Sequence, residues 1–168
     1  DTNDYEAGIY GTEVLLAVDG KLAGYLVVAD VIKEEATDAV SRMKSQNLVT
    51  AMLTGDAKDN AIAVAKKTGI DEVHAQLLPQ EKLEHLQKIR QQYGSVMFVG
   101  DGINDAPVLA GADVGAAMGN GADAAIEAAD VVFMTSSMNA IPEAVKIARQ
   151  TGKIAMQNVV FALIIKFL

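Results

Sequence analysis

Two aspartates, Asp101 and Asp105, stand four residues apart in a glycine-rich loop that follows a short apolar run. The apolar residues 96–99 predict a buried strand, and the glycines at positions 100 and 102 break it and allow close backbone approach. Two carboxylates on such a loop suit a hard cation such as Mg²⁺, which prefers oxygen ligands and often bridges to a substrate phosphate. The alternative is a capping turn with solvated acids. The specific eight-residue string GDGINDAP favours the cation site.

A second junction, Thr54-Gly55-Asp56, follows another predicted strand and precedes a predicted helix. A hydroxyl and free N–H groups at such a junction can bind an anion, helped by the positive end of the helix dipole. Thr and Asp are also ordinary N-caps of helices. The spacing by itself leaves the anion site and the helix cap equally open.

Lys82 lies in the first turn of a helix that Pro79 is predicted to open. A cation there is in the less favourable half of the helix dipole, which hints at an anionic partner. His74 and His85 are the only histidines, and they fall on a strand and a helix that do not obviously converge. We interpret both as surface residues and not as metal ligands.

The elements that must position these residues alternate along the chain. Two apolar runs flank Asp19-Gly20 and predict a β-hairpin. Beyond it, the patterns predict helices over 34–46, 57–68, 79–94, 106–110, 122–129 and 138–152, and strands over 49–53, 72–75, 96–99, 113–117 and 131–134. This alternation predicts an α/β fold with a doubly wound parallel sheet, whose strand order the sequence does not give.

Composition narrows the class of protein. The 168 residues can form one domain with a sizeable core, and 51 % hydrophobic with 21 % charged residues is ordinary for an α/β protein. The net charge of −8 argues against a nucleic-acid partner, because phosphate backbones require a surplus of Lys and Arg. The chain has no cysteine, which excludes disulfides and thiolate metal sites. The polar, acidic residues 1–6 do not resemble a signal peptide.

The apolar run over residues 157–168 is too short to cross a bilayer, which takes about 20 residues. It is either a buried helix or the opening turns of a transmembrane helix. Because the pattern stops without a cap or polar tail, we expect the second. A lysine within a membrane span is costly, so Lys166 is a functional candidate, and a solvated lysine is the alternative.

The string GDGINDAP resembles the hinge motif of P-type cation-pumping ATPases, whose phosphorylation domain belongs to the haloacid dehalogenase-like superfamily. The resemblance extends from about Gly11 to the end and is greatest to the zinc, cadmium and lead branch. It implies a Rossmann-like doubly wound parallel sheet of the haloacid dehalogenase type with an N-terminal β-hairpin. It also implies three parts: a linker or remnant of the nucleotide-binding domain over 1–11, a phosphorylation domain over 12–152, and the start of a transmembrane helix over 153–168.

The resemblance also implies site residues. Thr54 and Gly55, with Asp56, would hold the transferred phosphoryl group, and Lys82 would neutralise the phosphorylated aspartate. Asp101 would bind Mg²⁺. Asn104 and Asp105 would orient the reacting groups, and Asp105 is also a candidate Mg²⁺ ligand. Lys166 would lie on the path of the transported ion. The cofactor implied is Mg²⁺, and the substrates are ATP and a heavy-metal cation.

One motif of these pumps is absent. They phosphorylate the aspartate of a DKTGT sequence, which this chain lacks. Asp30 follows an apolar run but resembles a later segment of the family, in which proline is usual where this chain has Glu34. The TGD loop departs similarly, since Ala57 follows where the family often has Asn. We therefore expect part of a metal-exporting ATPase whose phosphorylated aspartate lies outside this chain, inactive when isolated.

Several alternatives stay open at this stage. The chain could be a freestanding haloacid dehalogenase-like phosphatase, or a non-catalytic module that binds phosphate and Mg²⁺, and copper could replace zinc or cadmium as the transported ion. A sheet that lacks its nucleophile strand could also pair with a second copy of the chain. In the favoured interpretation the chain is a cytoplasmic domain of a protein of the cell membrane, attached through its C-terminal helix.

Overall fold

The computed structural model describes residues 12–28, 31–119 and 121–167. The predicted linker over residues 1–11 and Asp30 lie outside the described residues. The chain divides into two compact units after Lys33, and each unit is described by itself.

The first unit contains the predicted hairpin. Strands β1 (Thr12–Val18) and β2 (Lys21–Val28) pair in antiparallel orientation. Asp19 and Gly20 have φ angles of 52° and 77°. Two positive φ angles in a two-residue loop match the right-handed twist of the strands, which is why Asp-Gly predicts this turn. The hairpin exposes apolar side chains, among them Val14, Leu16, Tyr25 and Leu26.

The second unit alternates helices and parallel strands, which confirms the predicted α/β class. Its elements are α1 (Ala36–Ser45), β3 (Ala51–Leu53), α2 (Lys58–Thr68), β4 (Glu72–His74), α3 (Pro79–Tyr93), β5 (Met97–Gly100), α4 (Ala106–Gly111), β6 (Val114–Met118), α5 (Asp123–Ala128), β7 (Val131–Phe133) and α6 (Ala140–Phe167).

The parallel strands form two sheets among the described residues. Within the described residues, β3 pairs with β4, and a separate three-stranded sheet has the order β5-β6-β7. Two buried residues of this sheet, Ala116 of β6 and Phe133 of β7, form a core cluster with Ile141 of α6. The strands are short because polar loops begin immediately after β3 and β5, and those loops carry the predicted site residues.

Asp71 fixes the β3–β4 ladder to α1. Its carboxylate accepts hydrogen bonds from the Thr50 amide at 3.0 Å and the Thr50 hydroxyl at 2.8 Å, and it pairs with Lys44 Nζ at 2.7 Å. The pKa of Asp71 lies below its usual value, mainly because of the hydrogen bond from Lys44 and to a smaller extent because of the one from the Thr50 amide. The ladder that carries the first candidate loop is therefore held at its N-terminal end by one carboxylate.

Helix α6 differs from the prediction. We predicted an end near Gly152, but one helix runs unbroken from Ala140 to Phe167. A glycine inside a helix costs only about 1 kcal/mol relative to alanine, which neighbouring helix formers can offset. The described side chains from Thr151 onward are exposed. Among the described residues, no helix has both the length and the apolar character needed to span a bilayer.

Candidate functional site

The loop after β3 holds Thr54, Gly55 and Asp56. The Thr54 hydroxyl donates to Asp56 Oδ2 at 2.8 Å and accepts from the Asp56 amide at 3.1 Å. Helix α2 begins at Lys58, its N-cap is Ala57, and no side chain caps it. Thr54 and Asp56 are therefore not helix caps. No described side chain caps the first-turn amides of α2, the arrangement that favours an anion at a helix N-terminus.

Main-chain hydrogen bonds join this loop to the segment that follows β4. The Thr54 amide donates to the His74 carbonyl at 2.9 Å, and the Leu77 amide donates to the Thr54 carbonyl at 3.0 Å. The Gln76 amide donates to the Asp56 carbonyl at 3.0 Å. The two loops therefore form one connected platform at the start of α3.

Lys82 and Asp105 form an ion pair. Lys82 Nζ lies 2.8 Å from Asp105 Oδ1, and the side chains are 17 % and 13 % exposed. The sequence indicated separate roles for these two residues and gave no sign that they touch. The pair joins α3 to the short 3₁₀ turn Ile103–Asp105, which precedes α4. It leaves the other Nζ protons of Lys82 available to a further acceptor.

Glycine is required beneath Asp105. A Cβ atom at Gly100 would lie 2.9 Å from Asp105 Cβ and 3.0 Å from its Oδ2, whereas one at Gly102 would lie at an ordinary 3.4 Å from Oδ2. The Asp105 amide also donates to the Gly102 carbonyl at 3.1 Å. A side chain at position 100 would therefore collide with Asp105, whose ion-paired carboxylate lies directly over the chain there.

Asp101 differs from Asp105 in its surroundings. It is exposed, and its carboxylate makes no hydrogen bond to a described residue. Its main-chain carbonyl accepts from the Ala122 amide at 2.8 Å, and a Cβ at Gly121 would come within 3.0 Å of that oxygen. The loop after β6, which was not among the predicted site residues, therefore positions Asp101. Its run of small residues was the available signal.

The donor set can be tested against Mg²⁺. Within the described ranges, no group of three or more His, Cys, Asp or Glu side chains could hold a metal ion. The Asp101 carboxylate makes no hydrogen bond to the residues that the structure describes, while Asp105 has one oxygen paired with Lys82. Because Mg²⁺ is commonly held by one or two carboxylates with water and substrate phosphate, the residues fit an ion shared with a phosphate.

Other predicted residues stay apart. No hydrogen bond among the described residues joins Thr54 or Asp56 to Asp101 or Asn104, and Asn104 is exposed. Lys166 lies in the last turn of α6 with an exposed side chain. These residues therefore lie on separate elements. The Thr54 loop is connected to the start of α3 by main-chain hydrogen bonds, and α3 is connected to the loop after β5 by the Lys82–Asp105 pair.

The two histidines do converge, so our prediction on this point was wrong. His74 Nδ1 and His85 Nδ1 are 3.2 Å apart, and the ring centroids are separated by 4.8 Å. The four-residue connection between β4 and α3 turns the helix back along the strand. Sequence spacing could not reveal this, because it does not give the direction of the helix.

The chain belongs to the α/β class in which ligands bind at the carboxyl ends of parallel strands. A family model of haloacid dehalogenase-like hydrolases matches residues 1–113, which is more than half of the sequence. The chain therefore belongs to the haloacid dehalogenase-like hydrolase family.

Similar proteins confirm the predicted resemblance to metal-transporting ATPases. The chain is 50 % identical over 161 residues to a cadmium, zinc and cobalt-transporting ATPase of Bacillus subtilis, covering 93 % of this chain and 23 % of that protein. It is 44 % identical to a copper-exporting P-type ATPase of Staphylococcus haemolyticus over 90 % of this chain and 19 % of the relative. The chain thus spans about a quarter or less of these relatives' length.

A solved structure agrees with this. A crystal structure of a zinc-transporting PIB-type ATPase in the E2.Pi state matches with a TM-score of 0.82 and 33 % identity, covering 90 % of this chain and 25 % of that one. The predicted haloacid dehalogenase-type fold is therefore confirmed.

The contrast between Gly100 and Gly102 gives a direct test of the site's geometry. Gly100→Ala is expected to lower the free energy of unfolding by about 1–3 kcal/mol, because the new methyl group overpacks against Asp105. Gly102→Ala is the matched control. Its φ is −99°, and its methyl group would meet only an ordinary contact, so the change should be small. Urea denaturation measures both, and equal losses would contradict the account.

Proposed function

We propose that the chain is part of an ATP-driven heavy-metal exporter of the P-type class, in which it supplies the phosphoryl- and Mg²⁺-binding side of the phosphorylation domain. The observation that carries the proposal is the Lys82–Asp105 pair, held beside an exposed Asp101 at the end of β5. In this arrangement a cation in the first turn of α3 contacts the loop that carries Asp101, whose carboxylate makes no hydrogen bond to a described residue. A phosphoryl group that shares a magnesium ion requires both.

Lys82 has the role of neutralising the phosphoryl group. Asp105 orients its ammonium group through one hydrogen bond, and the remaining N–H groups can donate to phosphoryl oxygens. A unit positive charge 4 Å from a unit negative charge contributes about 4 kcal/mol at an effective dielectric constant of about 20. Phosphoryl transfer depends mainly on such positioning and charge stabilisation.

The loop after β3 is proposed to receive the phosphoryl oxygens. Asp56 orients the Thr54 hydroxyl, and the uncapped first turn of α2 offers amide donors next to it. The space over Gly55 would hold a phosphoryl oxygen, since a Cβ atom there would meet only the Leu77 carbonyl, at an ordinary 3.4 Å. In this role Thr54, Gly55 and Asp56 act by binding and orientation.

Asp101 would hold Mg²⁺, with the free oxygen of Asp105 as a second ligand and Asn104 as an orienting group. When bound, Mg²⁺ neutralises charge on the phosphoryl oxygens. The Ala122 amide and Gly121 keep the Asp101 main chain in place. ATP is the proposed phosphoryl donor.

The phosphorylated aspartate is proposed to lie outside this chain, because the sequence contains no DKTGT. Within the described residues β3 pairs only with β4, and β5 pairs only with β6. Both strands end at candidate phosphate loops. In the part of the chain that the structure describes, each has one unpaired edge, to which a parallel strand carrying the aspartate could add. A freestanding phosphatase would need its nucleophile within the chain.

The same free edges favour one other function, a non-catalytic phosphate- and Mg²⁺-binding module that pairs with a second copy of itself. The two proposals differ in the role of the edge, which is filled either by a strand of the same protein or by another chain. Sedimentation of the isolated chain separates them. A stable dimer that persists on dilution would favour the module.

Attachment to the cell membrane is proposed through α6. Residues 153–168 would begin a membrane helix, and residues 12–152 would form the cytoplasmic phosphorylation domain. Support comes from exposed apolar side chains along the end of α6, including Val160, Phe161, Ile164 and Phe167, at 47–84 % exposure. A contiguous apolar surface of this kind indicates a partner or a bilayer.

Zinc, cadmium or lead is the proposed cargo, with copper as the alternative, and Lys166 is placed on the ion path. In the whole transporter, Lys166→Met is expected to abolish tolerance of zinc and cadmium. A lysine inside a membrane is energetically costly, so its presence indicates a part in ion transport. Lys153→Met is the control and should retain tolerance. Growth of a metal-sensitive strain on each metal measures the effect. Protection against copper alone would favour the alternative cargo.

Asp101→Asn tests the magnesium site in the isolated chain. Mn²⁺, used as a paramagnetic probe for Mg²⁺, is expected to broaden the amide signals of residues 100–105 and 121–122 in the unaltered chain. The variant should lose this broadening because it lacks the free carboxylate. Asp38→Asn, an exposed aspartate in the first turn of α1, removes the same charge and should keep it. Unchanged broadening in Asp101→Asn would overturn the assignment.

A further inference from the structure

His74 and His85 join the end of β4 to α3, and we propose that this hydrogen-bonded pair positions Lys82, so that full protonation of the pair displaces the lysine from its phosphate-binding geometry. The inference rests on the proposed function for what Lys82 binds. The positioning itself can be measured without that ligand.

The geometry of the pair indicates a specific hydrogen bond. The two Nδ1 atoms are 3.2 Å apart, so one must donate and the other must accept. His74 Nε2 is buried without a hydrogen-bond partner among the described residues, and Glu72 Oε2 lies 3.5 Å away. A carboxylate at that distance favours a proton on Nε2. We therefore assign His74 Nδ1 as the acceptor and His85 Nδ1–H as the donor.

The pair links β4, which is bonded to the Thr54 loop, to α3, which carries Lys82. The His74 carbonyl accepts from the Thr54 amide at 2.9 Å, so the strand end is tied to the TGD loop. His85 lies three residues after Lys82 on α3, on neighbouring parts of the same helix surface. The imidazole contact thus fixes α3 against β4 within one turn of Lys82. A shift of the helix there would move the lysine relative to Thr54.

Protonation can break this contact. With one added proton, either ring can still donate from Nδ1 to the other. When both rings are charged, two N–H groups face each other at 3.2 Å, and neither nitrogen can accept. The doubly protonated pair must therefore separate, which removes the link between β4 and α3.

The charged neighbours set the pH range of this step. The pKa of His85 is lowered from 6.5, mainly by burial and to a smaller extent by the nearby His74 and Lys88. Glu81 and Glu84 oppose this shift. On the other side of the pair, Glu72 faces His74 and accepts a hydrogen bond from Tyr93. Because folding lowers the pKa of His85, its neutral form stabilises the fold fully above pH 6.5. That contribution is lost as the pH falls below 6.5 and through the folded pKa.

The test is a titration of the 168-residue chain by NMR from about pH 8 to about pH 5, the range in which histidine changes charge. The imidazole signals of both histidines and the amide signals of Thr54, Gly55 and Lys82 are followed together. We expect the site amides to shift with the same midpoint as the later imidazole titration, below pH 6.5. Site amides that do not follow the imidazole signals would overturn the proposal.

Three variants separate positioning from general stability. His85→Asn keeps an N–H donor near the Nδ1 position but does not titrate, so the site amides should keep their high-pH positions throughout. His85→Leu removes the donor and should give the low-pH positions at every pH. Lys88→Gln removes a charge that lowers the pKa of His85 without touching the hydrogen bond. It should raise the shared midpoint of the imidazole and site signals.

Each outcome decides the question. Unchanged site amides in a folded His85→Leu variant would refute the positioning role. If that variant does not fold, a midpoint in Lys88→Gln that rises for the imidazole but not for the site amides would refute it equally. None of these measurements uses phosphate or a metal. The two proposals can therefore be refuted independently. A negative titration result would not affect the Mn²⁺ test of Asp101, and a negative Mn²⁺ result would not affect the titration.

Discussion

The ion pair between Lys82 and Asp105 is the contact on which the candidate site depends. It joins a helix that follows β4 to a loop that follows β5, and these strands belong to separate ladders. Both side chains are mostly buried, so leaving either one unpaired would be costly. The pair therefore fixes where the positive charge lies relative to the exposed carboxylate of Asp101. One loop thus carries two carboxylates in different surroundings, one ion-paired and one exposed.

The surrounding elements hold the site loops in place mostly through main-chain contacts and less through side chains. Gly100 leaves room for Asp105, and the Ala122 amide holds the carbonyl of Asp101. On the other side, main-chain bonds tie the Thr54 loop to the segment before α3. Small residues and backbone contacts of this kind allow close approach of a phosphoryl group. The histidine pair adds one titratable link to an otherwise fixed platform.

Much of this could be predicted from the sequence because the signals are local. Asp19-Gly20 specifies a hairpin turn, and Gly69 ends α2 with a φ of 83°. What could not be predicted depends on tertiary direction. The contact of His74 with His85 requires knowing that α3 turns back along β4. The passage of α6 through Gly152 requires knowing that flanking residues offset one glycine. Motif resemblance supplied the proposed roles of Lys82 and Asp101, but not the contact of Lys82 with Asp105 or of Asp101 with Ala122.

The most direct measurement is a phosphoenzyme assay. The isolated chain is incubated with Mg²⁺ and ATP labelled in its γ-phosphate, alone and together with a polypeptide that carries the DKTGT segment proposed to lie outside this chain. The account predicts no acid-stable label on this chain. It also predicts label on the added polypeptide that depends on this chain and is lost with Lys82→Met. Stable phosphate on any aspartate of this chain would contradict the account and make the chain an enzyme by itself.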